Sequence, residues 1–143
     1  MPINDHPAPS TILVCDFNNT FKEPEMVKPR CVIVLSPKIE RRAKLCTVVC
    51  LSMTAPSHVM PFHCQLDIRP TLPRPWESNG VWVKGDMIYS VGFHRLNLVR
   101  IGKEKDRTGQ RIYRMDTLSA EQMKAVRCCV LRGLGMSSLT KHL

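Results

Sequence analysis

Short runs of aliphatic and β-branched residues, separated by segments rich in proline, asparagine and charge, make up most of the chain. Runs of this length, bounded by turn residues, are typical of β-strands. The predicted strands span residues 11–17, 31–36, 45–51, 63–68, 81–84, 87–91, 96–101 and 112–115. The charged segment 102–111, with Thr108 and Gly109 near its tip, predicts a long hairpin before the last of them.

One helix is predicted at the C-terminal end, over residues 119–134. Ser119 and Gln122 have the spacing of a capping box. Leu118 and Met123 occupy the two positions of a hydrophobic staple, which is a second and independent start signal. The apolar stripe expected to pack on the sheet consists of Met123, Val126, Val130 and Leu134, and Gly135 can end the helix.

Several short strands followed by one helix predict a mainly β fold with a C-terminal helix, arranged as a small, strongly bent antiparallel β-barrel. A chain of 143 residues is long enough for one domain with a hydrophobic core and too short for two comfortable ones. We therefore expect a single domain over residues 1–143. In it, residues 1–10 form an irregular lead-in with three prolines, and residues 136–143 form a tail.

The composition is that of an ordinary globular protein. Hydrophobic residues make up 43% and charged residues 23%, which argues against disorder, a coiled coil and a membrane protein. No apolar run approaches the roughly 18 residues that a membrane-spanning helix needs. The seven cysteines are an odd number and no signal segment precedes them, so we expect a cytoplasmic protein with free, mostly buried thiols.

Positive charge is in excess and unevenly distributed. Lysine and arginine outnumber aspartate and glutamate by 21 to 12, which gives a net charge of +9. Residues 1–72 contribute +2 and residues 73–143 contribute +7. A field of this sign suits a polyanion such as nucleic acid, or an acidic protein partner. Charge alone fits a merely soluble basic protein equally well.

Two loops are candidate functional segments. Residues 18–29 combine asparagine, proline and charge over a length that is usually reserved for function. Prolines at positions 70, 73 and 75 forbid regular hydrogen bonding, so a second exposed loop is predicted there.

The order of short motifs resembles that of the PemK/MazF toxins, from about Ser10 to Leu134. Members of that family have a strand ending in Asp-Phe, a loop glutamate five residues before an arginine, and a valine-rich strand ending in serine. A further strand with hydroxyl residues at its end, a cation-Cys-Asp segment and an Arg-Leu pair follow. The similar segments here are Asp16-Phe17, Glu25, 28–36, 49–54, 82–87 and Arg95-Leu96.

The resemblance implies an SH3-like barrel of the CcdB/PemK kind that forms a homodimer and binds single-stranded RNA. It implies an endoribonuclease toxin that needs no metal or other cofactor. In this family the ribose 2′-hydroxyl attacks the phosphate and leaves a cyclic phosphate and a 5′-hydroxyl. An acidic antitoxin is the expected protein partner.

Such a reaction needs a proton acceptor, a proton donor and positive charge against the phosphate oxygens. Arg30 suits the last role, since its guanidinium is permanently charged and matches phosphate geometry. Ser52 matches the family's hydroxyl residue, which orients or stabilises the phosphate. Glu25 is expected to accept a proton or to hold Arg30. Asp86 and Lys84 correspond to the family's acid and cation, and either can join proton transfer or backbone binding.

A second group of residues is expected to bind the RNA strand. Its members are Lys28, Thr54, Trp76, His94 and Arg95. Trp76, in the proline-rich loop, is expected to expose a face on which a base can stack, whereas Trp82 is expected in the core. His94 is the additional group that titrates near neutrality.

The chain departs from the family pattern at four positions. Cys31 and Cys50 replace prolines, and Met53 stands where a second hydroxyl is common. Gly85 stands where cysteine is frequent, a change expected to have little effect. The departures at 31 and 53 leave open weak activity or a shifted sequence preference, and they also support the alternative of a non-catalytic RNA-binding protein. A third alternative is a protein-binding toxin that inhibits gyrase, as CcdB does on the same barrel.

Overall fold

The computed structural model describes residues 2–18, 21–78, 80–114 and 116–143, with the backbone but not the side chains of 102–105. Within these ranges the strands are β1 (Ile12–Cys15), β2 (Arg30–Val34), β3 (Leu45–Ser52), β4 (His63–Leu66), β5 (Val81–Gly92), β6 (Leu96–Leu98), β7 (Arg100–Lys105) and β8 (Arg111–Tyr113). Helix α1 spans Ala120–Gly133, and 3₁₀ turns occupy Phe93–Arg95 and Ser137–His142. Five residues of predicted segments lie outside the described residues, namely Met1, Asn19, Thr20, Asn79 and Met115.

Six strands form one antiparallel sheet in the order β4-β5-β3-β2-β1-β6, and β7 pairs with β8 in a separate hairpin. The predicted class, mainly β with a C-terminal helix, is confirmed. Among the described strands, β4 and β6 are the edges of the sheet, so it is open where a closed barrel was expected. After β6 the chain leaves this sheet, and β7 pairs with β8.

The predicted hairpin is confirmed by its turn. The Asp106 N–H donates to the Gln110 carbonyl at 2.8 Å, and Gly109 adopts a φ of +82° that suits glycine. The predicted strands 81–84 and 87–91 are one strand of 12 residues, β5. The prediction separated them at Gly85, which lies inside the strand.

The strand β5 carries a β-bulge. Cys50 of β3 pairs with Lys84, while its neighbour Val49 pairs with Ile88, so the register shifts between them. Residues 85–87 are therefore the extra residues of the bulge, which bends the strand. Gly85 uses its N–H to bond the Phe62 carbonyl at 2.9 Å.

Both faces of the sheet bury apolar side chains, because residues on a strand point alternately to opposite sides. One cluster lies under helix α1 and includes Ile33, Val49, Leu51, Val83 and Val126. The other cluster includes Leu13, Phe17, Val32, Val48 and Cys50. The cysteines are all free thiols, and the buried ones are Cys15, Cys31, Cys46, Cys50 and Cys129. The prediction of mostly buried, unpaired cysteines is confirmed.

Helix α1 begins as predicted. The Ser119 hydroxyl accepts from the Gln122 N–H at 3.1 Å, and the Gln122 side chain accepts from the Ser119 N–H at 3.2 Å. Gly135 follows the helix with a φ of +75°. The assignment of Leu134 to the buried stripe is wrong, because its side chain is 52% exposed. One residue earlier, at Gly133, the helix backbone comes so near the sheet that an added Cβ would lie 2.3 Å from the Gly85 carbonyl oxygen.

The lead-in is irregular, as predicted, but is attached to the sheet. The Ile3 N–H donates to the Leu96 carbonyl at 3.0 Å, and the Ile3 side chain is buried. A further bridge joins Pro2 to Asn97. In the part of the chain that the structure describes, no helix has the length and apolar character needed to cross a membrane.

Candidate functional site

An open cavity of about 580 Å³ lies where the loop 23–28 meets strands β2, β3 and β5. Its lining brings together side chains from three distant segments of the sequence. The lining residues are Glu23, Pro24, Glu25, Met26, Val27, Lys28, Arg30, Ser52, Lys84 and Met87. The cavity therefore collects four of the predicted catalytic residues and one predicted RNA-binding residue.

Strand register explains why Arg30 and Ser52 share this cavity. The antiparallel pairing of β2 with β3 sets Val32 opposite Cys50. Continuing this register by one pair on the same face sets position 30 opposite position 52. Directly opposed side chains on one face of a sheet are neighbours. Lys84 faces Cys50 on the other side of β3, which makes it a diagonal neighbour of Ser52.

The guanidinium of Arg30 is partly enclosed by the protein. Its Nε is buried and has no hydrogen-bond partner among the described residues. The salt bridges found within the described ranges involve Arg69, Arg74 and Arg114, and none involves Arg30. A buried N–H of this kind normally has a partner. An anion placed in the cavity is the partner that the guanidinium can bind most strongly.

The charges around the cavity include both signs. Lys28, Arg30 and Lys84 are cations, and Glu23 and Glu25 are carboxylates. The cations suit the oxygens of a phosphodiester, while a carboxylate can accept a proton. The Glu25 side chain is exposed and accepts weakly from the Lys22 N–H at 3.4 Å.

The Ser52 hydroxyl lies at the end of β3 and is engaged locally. It donates to the Thr54 carbonyl at 2.9 Å and accepts from the Thr54 N–H at 3.2 Å. These bonds place Thr54 beside the cavity. To donate to a phosphate oxygen, the hydroxyl has to rotate away from the Thr54 carbonyl.

Asp86 lies in the bulge of β5 and is exposed, next to the cavity residue Met87. It is not part of the described lining. Burial raises the pKa of the Cys50 thiol to about 12, and the charge of Asp86 contributes in the same direction.

Three of the predicted RNA-binding residues lie away from the cavity. Trp76 is half-buried against the apolar cluster under α1, because its N–H bonds the Pro73 carbonyl at 2.9 Å and the loop turns back on the sheet. Trp82 is also half-buried, whereas Trp76 was expected to be exposed and Trp82 to lie in the core. His94 lines a separate hollow of about 290 Å³ that includes Lys44.

Arg95 is bound to the beginning of the loop 18–29. Its guanidinium donates to the Asp16 carbonyl at 2.9 Å and to the Asn18 carbonyl at 3.3 Å. It also lies over the Phe21 ring, 4.9 Å from the ring centroid. These contacts fix the loop at its start.

Tyr89, which the sequence pattern did not single out, contacts two residues of the cavity lining. Its hydroxyl accepts from the Met26 N–H at 3.1 Å and donates to the Met87 sulfur at 3.6 Å. Its ring packs on Phe17 and Phe21, at centroid distances of 5.0 and 5.5 Å. Burial raises the pKa of the Tyr89 phenol, which keeps the donor proton in place. No local signal marks this tyrosine, because it occupies an ordinary strand position.

We expect Tyr89→Phe to loosen the cavity wall without unfolding the protein. The variant keeps the ring contacts and loses the bond to Met26, a loss of about 1 kcal/mol in stability. The loop 23–28 then samples more positions, and any reaction that depends on the lining of the cavity should slow while the protein remains folded. Melting temperature and any nucleolytic rate should be measured together. An unchanged rate would show that this bond does not position the loop.

The chain was compared with protein families and with solved structures. Residues 9–132 match the family described as PemK-like, MazF-like toxin of type II toxin-antitoxin systems. The chain belongs to this family. The match covers nearly the same stretch as the resemblance found in the sequence, from about Ser10 to Leu134, and that resemblance is confirmed. This toxin family is known for endoribonucleases.

Solved structures show the same fold. MazF from Deinococcus radiodurans superposes with a TM-score of 0.57 at 20% identity, covering 93% of this chain and 100% of that chain. The Mycobacterium tuberculosis toxin MazF-mt6 gives a TM-score of 0.54 at 16% identity, over 90% and 98% of the two chains. A mycobacterial endoribonuclease in complex with its cognate antitoxin gives 0.56 at 14% identity, over 92% and 97%. No curated protein matches the chain significantly.

Proposed function

We propose that this toxin-family protein is an endoribonuclease that cleaves single-stranded RNA in the cavity, without a metal ion. The strongest support is the lining of the cavity. Strand residues Arg30, Ser52 and Lys84 line it together with the loop residues Glu25 and Lys28. These residue types can supply the charge stabilisation and the proton transfers that the reaction needs.

The proposed reaction is an in-line attack of the ribose 2′-hydroxyl on the adjacent phosphorus. Glu25 is the lining carboxylate that can accept the hydroxyl proton. Arg30 binds the two non-bridging oxygens as negative charge builds on them. Lys84 can return a proton to the departing 5′-oxygen. The P–O bond to that oxygen breaks, which leaves a 2′,3′-cyclic phosphate and a 5′-hydroxyl.

Ser52 and Asp86 have supporting roles in this proposal. The Ser52 hydroxyl turns from the Thr54 carbonyl to the phosphate and orients it. Asp86, two residues along β5 from Lys84, supplies negative charge at the bulge. Lys28 and Thr54 contact the strand on either side of the cleaved linkage. Trp76, His94 and Arg95 lie outside the cavity, and the proposal assigns no RNA contact to them.

The proposal includes partners. The similar mycobacterial endoribonuclease was solved with its cognate antitoxin, and a Deinococcus radiodurans MazF was solved as MazE-MazF. With a net charge of +9, this chain should bind an acidic antitoxin that covers the cavity. We also propose a homodimer in the cytoplasm. Exposed apolar residues near the C-terminus offer contact area for it, namely Leu134, Met136, Leu139 and Leu143.

A second candidate is an RNA-binding protein that does not cleave. The hydrogen bonds of the Ser52 hydroxyl favour it, because both are made to Thr54. Met53, between these two residues, has no hydroxyl that could replace that of Ser52. In this case the cations bind the backbone of the RNA and the bonds at Ser52 persist. Binding that weakens with added salt, without turnover, is its signature.

The experiment is incubation of the purified protein with a mixed pool of single-stranded RNA in the presence of a chelator. Binding and cleavage are measured in the same samples at several salt concentrations. Cleavage supports the ribonuclease. Binding without cleavage by a protein whose fold is verified supports the second candidate. A folded protein that neither binds nor cleaves contradicts both.

A further inference from the structure

Trp82 has no part in the reaction proposed above, although it lies beside a residue that lines the cavity. It is on β5, directly opposite Ser52 of β3. Opposed residues on antiparallel strands point to the same side of the sheet, with their Cβ atoms about 5 Å apart. Since β3 lies between β2 and β5, Trp82 neighbours Ser52 on the side away from Arg30.

Trp82 also points to the face of the sheet on which the cavity lies. Its neighbour Val83 belongs to the apolar cluster under α1. Successive side chains on a strand alternate between the two faces, so Trp82 and Lys84 point away from the helix. Lys84 lines the cavity. Trp82 and the cavity therefore share one face of the sheet.

The fold leaves the indole of Trp82 available to a ligand. The residue is half-buried but belongs to neither apolar cluster. Within the described part of the chain, no aromatic ring contacts it, and its N–H has no hydrogen-bond partner. A buried indole N–H normally finds a partner. The accessible part of the ring and the donor are therefore both open to a molecule that binds beside Ser52.

Two polar side chains of the edge strand β4 border the indole. Gln65 pairs with Trp82, and His63 pairs with Lys84. The His63 ring is held in place, since its Nδ1 accepts from the Met60 N–H at 3.1 Å. In the neutral ring the proton is then on Nε2, and the Gln65 amide also carries donors. Both side chains can donate a hydrogen bond to the edge of a flat, polar ring that lies on the indole.

We propose that Trp82 is a base-stacking subsite, which holds one unpaired base of the RNA strand next to the cleaved linkage. This subsite rests on the proposed binding of RNA in the cavity. Arg30, Ser52 and Trp82 follow one another across β2, β3 and β5. Neighbouring strands are about 4.8 Å apart, so Trp82 lies two strand spacings, roughly 10 Å, from Arg30. A phosphate held between Arg30 and Ser52 brings the adjoining nucleoside to the indole.

Charge favours a nucleic acid as the occupant of this face. Three cations, Lys28, Arg30 and Lys84, line the cavity beside the indole. A positively charged groove next to an aromatic ring is the usual combination at sites for single strands, because the cations bind the backbone and the ring stacks a base. Stacking of this kind accepts any of the four bases, since each has a π-face.

The test uses the fluorescence of the two tryptophans, Trp76 and Trp82. Trp76→Phe leaves Trp82 as the reporter, and Trp82→Phe leaves Trp76 as the matched control. Each full-length variant is titrated with a mixed-sequence pool of short 2′-fluoro RNA, which lacks the attacking hydroxyl and stays intact. The pool should quench the fluorescence of Trp76→Phe to saturation and leave that of Trp82→Phe unchanged. An abasic strand of the same length should quench neither.

Affinity for the same pool gives a second measurement. Trp82→Ala should bind roughly 10- to 100-fold more weakly than the wild type, as expected for the loss of one stacked base. Trp82→Phe keeps a ring and should retain most of the affinity, and Trp76→Phe should bind as the wild type does. Circular dichroism verifies each fold, and the fluorescence comparison decides the matter if Trp82→Ala fails to fold.

The outcomes separate the subsite from the ribonuclease. Quenching of Trp82 by the pool supports the subsite, with or without cleavage of unmodified RNA by the wild type. Binding of the pool with unchanged Trp82 fluorescence overturns the subsite, and cleavage of unmodified RNA would then still support the proposed function. A Trp82→Ala variant that changes oligomeric state overturns the subsite as well, because a second copy of the chain then covers the indole. A folded protein that binds no RNA overturns both.

Discussion

Arg30→Ala should reduce the rate of RNA cleavage by on the order of 10² to 10³, since a single group that stabilises charge in the transition state has an effect of this size. The expectation follows from the position of the guanidinium, which lines the cavity with a buried Nε that has no partner among the described residues. Among the described residues its removal breaks no salt bridge and no hydrogen bond of the Nε, so the melting temperature should change little. Single-turnover rates on one short RNA measure the effect.

Two further variants distinguish the effect of the Arg30 charge on the cleavage rate from the effect of losing any positive charge. Arg127→Ala removes an exposed arginine on helix α1 and should leave the rate within a factor of about two, because surface charges far from a site contribute little. Arg30→Lys keeps the charge and loses the planar fork, so its rate should fall between those of the wild type and Arg30→Ala. Equal rates for Arg30→Ala and Arg127→Ala would remove Arg30 from the reaction.

The second large effect is expected on stability, at the crossing of α1 and β5. A Cβ at Gly85 would lie 2.3 Å from the Cys129 oxygen and 2.7 Å from the Phe62 oxygen. A Cβ at Gly133 would lie 2.3 Å from the Gly85 oxygen. These neighbours are backbone atoms that cannot move aside singly. Gly85→Ala and Gly133→Ala should therefore each lower the free energy of unfolding by about 1 to 3 kcal/mol.

The same contact gives a structural reason for glycine at position 85, where the family frequently has cysteine. In this chain Gly85→Cys should destabilise at least as much as Gly85→Ala, because the helix backbone occupies the space of the side chain. Lys124→Ala, an exposed change on the same helix, is the control and should be nearly neutral. Urea unfolding measures all four variants. A glycine variant as stable as the wild type would show that the crossing can widen at little cost.

Local signals explain which parts of the fold were predictable. The capping box at Ser119 and the glycine at 135 act within a few residues, and both were found. Most strands were found because their apolar runs end at turn residues. Gly85 was read as a strand break, although it lies in a bulge that only the register of β3 against β5 reveals. Leu134 was assigned to the core because hydrophobic periodicity does not show where a helix stops packing on the sheet.

The candidate site was predictable to the extent that motifs carry it. Arg30, Ser52 and Lys84 were chosen from separate motifs, and strand pairing brings them to one cavity. Tyr89 could not be chosen, because its importance depends on a bond to Met26, a residue 63 positions away. Arg95 was chosen for RNA, whereas its contacts hold the loop by backbone carbonyls. Such contacts depend on tertiary structure and leave no trace in residue type.

The most direct test is the chemistry of the RNA ends produced by the purified protein in chelator. We predict fragments with 5′-hydroxyl and 2′,3′-cyclic phosphate ends. A single 2′-deoxynucleotide on the 5′ side of the cleaved linkage should stop cleavage there while binding persists. Cleavage at the linkage that directly follows the 2′-deoxynucleotide would contradict attack by the ribose hydroxyl in the Arg30 cavity. Fragments with 5′-phosphate ends would contradict it as well.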